Sequence, residues 1–139
     1  MADRRMFSNT VVSSDAFLNM STAARVLYYH LVMNADNRGY INNLRSIVSS
    51  FDELTMSDAE ELVVNKFVIK REKGLYLIKH WYIHNDIPTC KVEETRYSDD
   101  LKQLYFDENF SYTEKVTDKP VLETLKMFVK EKKKPRKRN

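Results

Sequence analysis

Between Ser21 and Asp36 apolar residues recur every four positions, at Ala23, Leu27, Leu31 and Ala35, with Tyr28 and Val32 beside them. This is the spacing of a helix packed along one face, and Ser21 supplies the side-chain oxygen that caps its first turn. Asn37-Arg38-Gly39 interrupts the pattern with turn residues, after which Tyr40-Ile41 predicts a short strand and Asn42-Asn43 a second cap. Leu44, Ile47, Val48 and Phe51 fall at i, i+3, i+4 and i+7, which predicts a shorter helix. A turn over Asp52 to Met56 leads to a third helix. Ser57 and Glu60 have the spacing of a capping box, and Ala59, Leu62 and Val63 form its inward stripe.

The pattern then changes from helical to extended. Phe67-Val68-Ile69-Lys70-Arg71 and Leu75-Tyr76-Leu77-Ile78-Lys79-His80-Trp81 are β-branched, aromatic and aliphatic runs around the polar turn Glu72-Lys73-Gly74, which predicts a β-hairpin. Helix, short strand, two helices and hairpin is the order of a winged helix-turn-helix, an α+β and mainly α fold, expected over residues 1–97. Residues 98–134 read as a C-terminal helical extension. One helix is expected over Ser98 to Asp107 through Leu101, Leu104 and Tyr105, and another over Val121 to Lys134 through Leu122, Leu125 and Phe128. Asn109 to Lys119 reads as a linker between them, and residues 135–139 as the disordered end of a basic tail.

With 139 residues, 42% of them hydrophobic and 31% charged, the chain can bury one domain core but has no room for a second catalytic domain. Two glycines and three prolines exclude glycine-rich phosphate loops and flexible linkers, and the single Cys90 excludes an internal disulfide framework or a thiolate zinc cluster. No apolar run approaches the ~20 residues of a membrane span, and the first residues lack the apolar core of a secretory signal, so a cytoplasmic protein with no membrane partner is expected. The net charge of +3 is unevenly distributed. The last ten residues hold seven bases and one acid, which leaves residues 1–129 at −3. A basic tail on an acidic body is an electrostatic device suited to polyanions.

Lys130, Lys132, Lys133, Lys134, Arg136, Lys137 and Arg138 are too dense in like charge to pack, so they serve either phosphate neutralisation or solubility. Lys70, Arg71, Lys73 and Lys79 put a second basic cluster on the hairpin, and Arg4 and Arg5 a third at the start. Phosphate contact is weighed there against the use of lysine to blunt a sheet edge. The third helix is a poor base reader, because Asp58, Glu60 and Glu61, with Asp52 and Glu53 just before, would repel the phosphates flanking a major groove. Tyr76, Trp81 and Tyr82 are candidates to stack on unpaired bases, with core packing the commoner use of such aromatics. His80, His84 and Cys90 invite a metal reading that lacks an oriented third ligand, so structural histidines are expected and no cofactor is assigned. No nucleophile, general-base constellation or phosphate loop stands out, and the chain is not expected to be an enzyme.

Several blocks in a common order resemble the N-terminal domain of phage replisome organisers, replication-initiation proteins of phages of Gram-positive bacteria related to the DnaD-like primosomal group. They are Met1-Ala2-Asp3-Arg4-Arg5-Met6-Phe7-Ser8, Ser14-Asp15-Ala16-Phe17-Leu18-Asn19-Met20, Leu27-Tyr28-Tyr29-His30-Leu31 with Ala35-Asp36, Gly39-Tyr40-Ile41-Asn42-Asn43, and Ile78-Lys79-His80-Trp81-Tyr82-Ile83-His84-Asn85. The likeness extends to Glu108-Asn109 and Tyr112-Thr113. It implies a non-catalytic winged-helix module acting at a phage origin, with DNA and a host helicase loader or other primosome proteins as partners, and a homo-oligomer as an open option. Where family members commonly continue with bases, this chain reads Asp86-Ile87-Pro88-Thr89-Cys90-Lys91-Val92-Glu93-Glu94, so no DNA contact is carried over to that stretch. The residues themselves leave two other readings open: a protein-binding winged helix that modulates host replication, and a dimeric transcriptional or copy-number regulator.

Overall fold

The computed structural model describes residues 6–86 and 97–133, and the chain divides into two compact units, residues 1–85 and 86–139. The protein is a mixed α+β chain, mostly helical, with small antiparallel sheets. No helix among the described residues is long and apolar enough to cross a membrane.

The first unit opens with two single-turn helices, α1 (Asn9–Val12) and α2 (Asp15–Leu18). The long α3 (Thr22–Asn34) follows, with the Ser21 hydroxyl accepting from the Ala24 N–H. Ala24, Leu27, Tyr28, Leu31 and Val32 of α3 are completely buried, so this helix is the axis around which the rest packs. After Asn34 the Asp36 carboxylate accepts from the N–H groups of Arg38 and Tyr40, which turns the chain into β1 (Tyr40–Ile41). Next come α4 (Leu44–Ser49) and α5 (Met56–Val64). The cap of α5 lies two residues earlier than its sequence suggests. Thr55 stands at the cap and Asp58, not Glu60, reaches back to accept from the Thr55 N–H at 2.8 Å. Aspartate stands where a capping box usually has glutamate or glutamine, and Thr55 is extended, at φ −133° and ψ 166°, as an N-cap residue ordinarily is.

Strands β2 (Val68–Lys70) and β3 (Tyr76–Ile78) form the expected hairpin, and β1 pairs with the other edge of β3, giving the antiparallel order β1-β3-β2. The second strand is shorter than its apolar run. From Trp81 to His84 the chain makes a helical turn, α6, started by bonds from Ile83 and His84 N–H to the His80 carbonyl. Strand propensity yields to packing at this point. The turn places the Trp81 indole across Gly39, where a Cβ would lie 2.9 Å from Trp81 Cγ, and its Nε1–H donates to the Asn37 carbonyl. Gly39 also sits at φ +94°, a left-handed conformation that favours glycine.

In the second unit, α7 (Ser98–Leu101) is a single turn, and the helix expected to Asp107 stops there. Leu104 and Phe106 are buried with Tyr105 half-buried between them, a period of two that suits β4 (Tyr105–Phe106), paired with β5 (Tyr112–Thr113). The region read as a linker is therefore folded. Asp107 Oδ1 accepts from the N–H groups of Asn109 and Ser111, Phe110 takes φ +62°, and the Phe106 and Tyr112 rings stack at 5.6 Å. Helix α8 (Val121–Lys133) follows, with Val121 and Leu125 buried in this unit.

Candidate nucleic-acid interface

The hairpin is anchored at its base and charged at its tip. Register pairs Val68 with Ile78, Ile69 with Leu77 and Lys70 with Tyr76. Val68, Leu77 and Ile78 are buried, whereas Lys70 is exposed. The Ile78 N–H donates to the Gly39 carbonyl at 2.9 Å and the Lys79 N–H to the Phe67 carbonyl at 3.2 Å, so β3 cannot slip against β1 or β2 without losing these bonds. At the tip, Leu75 N–H closes back on the Glu72 carbonyl across Lys73 at φ +58° and Gly74 at φ +74°. Two successive left-handed residues are the signature of the type I′ turn that matches hairpin twist. Gly74 adopts this conformation freely, while Lys73 does so at a cost of about 1 kcal/mol.

Of the four hairpin bases singled out from the sequence, Lys70 and Lys73 are exposed and Arg71 and Lys79 are half-buried. Lys66 joins them. It holds φ +65° as the left-handed residue after α5, where Phe67 N–H donates to the Leu62 carbonyl and Lys66 N–H to that of Val63. That paired closure usually recruits glycine, and here it projects an exposed lysine at the foot of β2. In the sequence the signal for Lys66 is its position directly before the extended run Phe67-Val68-Ile69. Arg4, Arg5, Lys134, Arg136, Lys137 and Arg138 lie outside the described residues, and of Lys130, Lys132 and Lys133 only the backbone, in the last turn of α8, is described.

Two of the carboxylates on α5 have structural tasks. Asp58 starts the helix, and Glu61 receives the Ser21 N–H at 2.6 Å and the Ser21 hydroxyl at 2.9 Å. A carboxylate there satisfies an orphan donor at the start of α3 and faces the positive end of its dipole. Asp52, Glu53 and Glu60 remain exposed.

Of the aromatic and histidine candidates, Trp81, Tyr82 and His84 are interior, whereas His80 is half-buried. Trp81 is 2% exposed, and the Tyr82 hydroxyl accepts from Arg38 Nη1 at 3.2 Å beneath the surface, so neither ring is available to stack on a base. Tyr76 is half-buried. His84 is buried on α6 with both ring nitrogens engaged: Nδ1 accepts from the Ser8 N–H at 2.8 Å, and Nε2 meets the Tyr28 hydroxyl. A backbone N–H can only donate, so the ring proton resides on Nε2 and the imidazole is neutral. Burial, reinforced by His80, lowers its pKa from 6.5 to about 4. Burial, with Tyr29 adding to it, raises the Tyr28 hydroxyl far above its usual range. Phe7 packs edge-on against both His84 and Tyr29, so these contacts fasten the segment that follows Arg4 and Arg5. Cys90 lies outside the described residues, among which no group of three or more His, Cys, Asp or Glu side chains could hold a metal.

The arrangement presents exposed cations at a β-turn with a hydrogen-bonded base, a surface on which anions can be held. Comparison with protein-family models, with curated proteins and with solved structures finds no match.

Proposed function

We propose that this chain is a replisome-organiser-type replication initiation protein, a winged-helix module that holds DNA mainly through phosphates and recruits a helicase-loading partner. In this reading β2 and β3 are the wing, α4 and α5 the helix-turn-helix, and Lys70, Arg71, Lys73 and Lys79 contact the backbone, joined by Lys66, Arg4, Arg5 and the C-terminal bases. The observation that carries it is the hairpin tip, where exposed Lys70 and Lys73 project from a turn whose base is bonded to β1. Phosphate contacts position a protein without reading bases, which suits a module whose α5 bears the exposed acid Glu60 in place of a basic recognition surface.

The test is salt dependence. Affinity for duplex and single-stranded oligonucleotides should fall steeply between ~50 and ~200 mM salt, by about 0.9 in log affinity per log salt for each phosphate neutralised on duplex. Replacing Lys70 and Lys73 with glutamine should flatten the duplex slope by about 2, and removing residues 130–139 should flatten it further. Absence of binding at low salt would overturn the proposal. A second reading, a protein-binding module that modulates host replication without holding DNA, is favoured by the exposed acids Asp52, Glu53 and Glu60, and that outcome would select it.

A further inference from the structure

We infer that the groove between the first half of α3 and the connection from α4 to α5 docks an amphipathic helix of a partner protein, one that presents an apolar ridge flanked by lysine or arginine. The inference rests on the preceding reading, in which one face recruits protein while the hairpin holds DNA. The groove encloses about 300 Å³, with Thr22, Ala23 and Val26 on one wall and Phe51, Glu53 and Leu54 on the other. Phe51 is held in place by the His30 ring, 4.2 Å away between centroids. Beyond the groove the apolar surface continues along the solvent side of α3. Val26, Tyr29 and Met33 are 39%, 39% and 44% exposed at i, i+3 and i+7, a ridge of roughly 10 Å at 1.5 Å per residue. The one charged residue of α3, Arg25, is half-buried and its Nη2 donates to the Thr22 hydroxyl at 3.3 Å, so Val26, Tyr29 and Met33 carry no charge of their own and the Tyr29 hydroxyl is the ridge's polar group. An exposed apolar row leading into a groove is the surface that a helix recognises through anchors at helical spacing.

Charge selects the partner. Glu53 lines the groove and Asp52, its chain neighbour between Phe51 and Glu53, is exposed beside it; neither carboxylate has a hydrogen bond or ion pair among the described residues, in contrast to Asp58 and Glu61. Nucleic acid would be repelled there. A purely apolar partner would desolvate the rim carboxylates without compensation, and a second copy of this chain would bring the same acids to meet themselves. A helix with bases beside its apolar ridge satisfies both features at once.

The probe is a fluorescein-labelled synthetic helix of about four turns, with leucine at i, i+3, i+4 and i+7 and lysine at the flanking positions, titrated against the full chain. Control peptides carry glutamate for lysine or alanine for leucine. The lysine–leucine peptide should bind and shift the methyl resonances of Val26 and Leu54, while both controls bind at least about tenfold more weakly. Val26→Asp and Glu53→Lys should each weaken binding about tenfold or more, and the pair Asp52→Lys with Glu53→Lys should transfer preference to the glutamate peptide. Lack of binding, equal binding by the variants, or equal binding of the glutamate peptide to the unaltered chain overturns the inference. So does self-association that Val26→Asp abolishes, which would assign the groove to a second copy. Duplex binding by the same variants keeps the two ideas apart: groove failure with DNA binding intact removes only the docking site, whereas loss of DNA binding in the unaltered chain removes the reading beneath it.

Discussion

Helix α5 and the hairpin that follows it are both rich in charge, yet they use it differently. On α5, Asp58 accepts from the N–H of the cap residue Thr55 and Glu61 reaches across to the cap residue of α3, Ser21, so two of its acids hold the fold together. On the hairpin, Lys70 and Lys73 stand exposed, and Lys73 even accepts an unfavourable backbone conformation. A charge that completes a hydrogen-bond shell contributes to stability, while one held out in solvent on a rigid base is available to a ligand. Charge density along a sequence does not distinguish the two.

The largest way to break the contrast is to unfold the unit that carries both regions. Trp81→Ala empties the site across Gly39 and should cost about 3–5 kcal/mol in denaturant unfolding, collapsing DNA binding with the fold. Next is pH. His84 is neutral in the fold with a pKa of about 4, against 6.5 when unfolded, so the unfolded chain takes up the proton first on acidification. Its contribution is fully present above pH 6.5 and should erode by about 3 kcal/mol as pH falls toward 4. Denaturation midpoints of the unaltered chain and of His84→Gln, followed across that window, should converge at the acid end. A constant gap between them would refute the assignment.

Finer still, Glu61→Gln should destabilise by about 1–2 kcal/mol, because it weakens the charge-assisted bonds at the start of α3. Glu60→Gln, exposed on the same helix, should stay within about 0.5 kcal/mol. Thermal unfolding of the pair sharpens the distinction between a used and an unused carboxylate. The smallest effect on stability belongs to Lys73→Asn. Asparagine tolerates φ +58°, so the fold should be unchanged or gain up to about 1 kcal/mol, while the slope of DNA affinity against salt drops by about 0.9. A variant that is more stable and binds less would mark Lys73 as strained in the service of binding.

Local pattern made much of the first unit legible. Ser21 caps α3, Tyr40-Ile41 is a strand, the helix after Asn43 begins at Leu44, and Lys73-Gly74 turns the hairpin. The pattern misled at Trp81, where a strand-like run became a helical turn because burial against Gly39 outweighs local propensity. It also misled at Leu104 to Phe106, whose spacing fits either a helix or a strand until the Asp107 turn and the Phe106–Tyr112 stack decide for the strand. The short α1 and α2 left no periodicity to detect, since one turn is too brief to repeat.

Of the candidate site, residue types and the hairpin that bears them were readable in advance, because turn chemistry and strand alternation act over a few neighbouring residues. Which charges are occupied was not readable. Glu61 meets Ser21 across 40 positions and His84 meets Ser8 across 76, and such pairings exist only once packing has brought distant segments together. The sequence by itself determined the longer helices and the hairpin of the first unit, whose signals repeat over neighbouring residues. The tertiary structure alone decided which polar groups are consumed in the fold and which remain free to bind, because a buried donor or acceptor must find its partner wherever the folded chain supplies one.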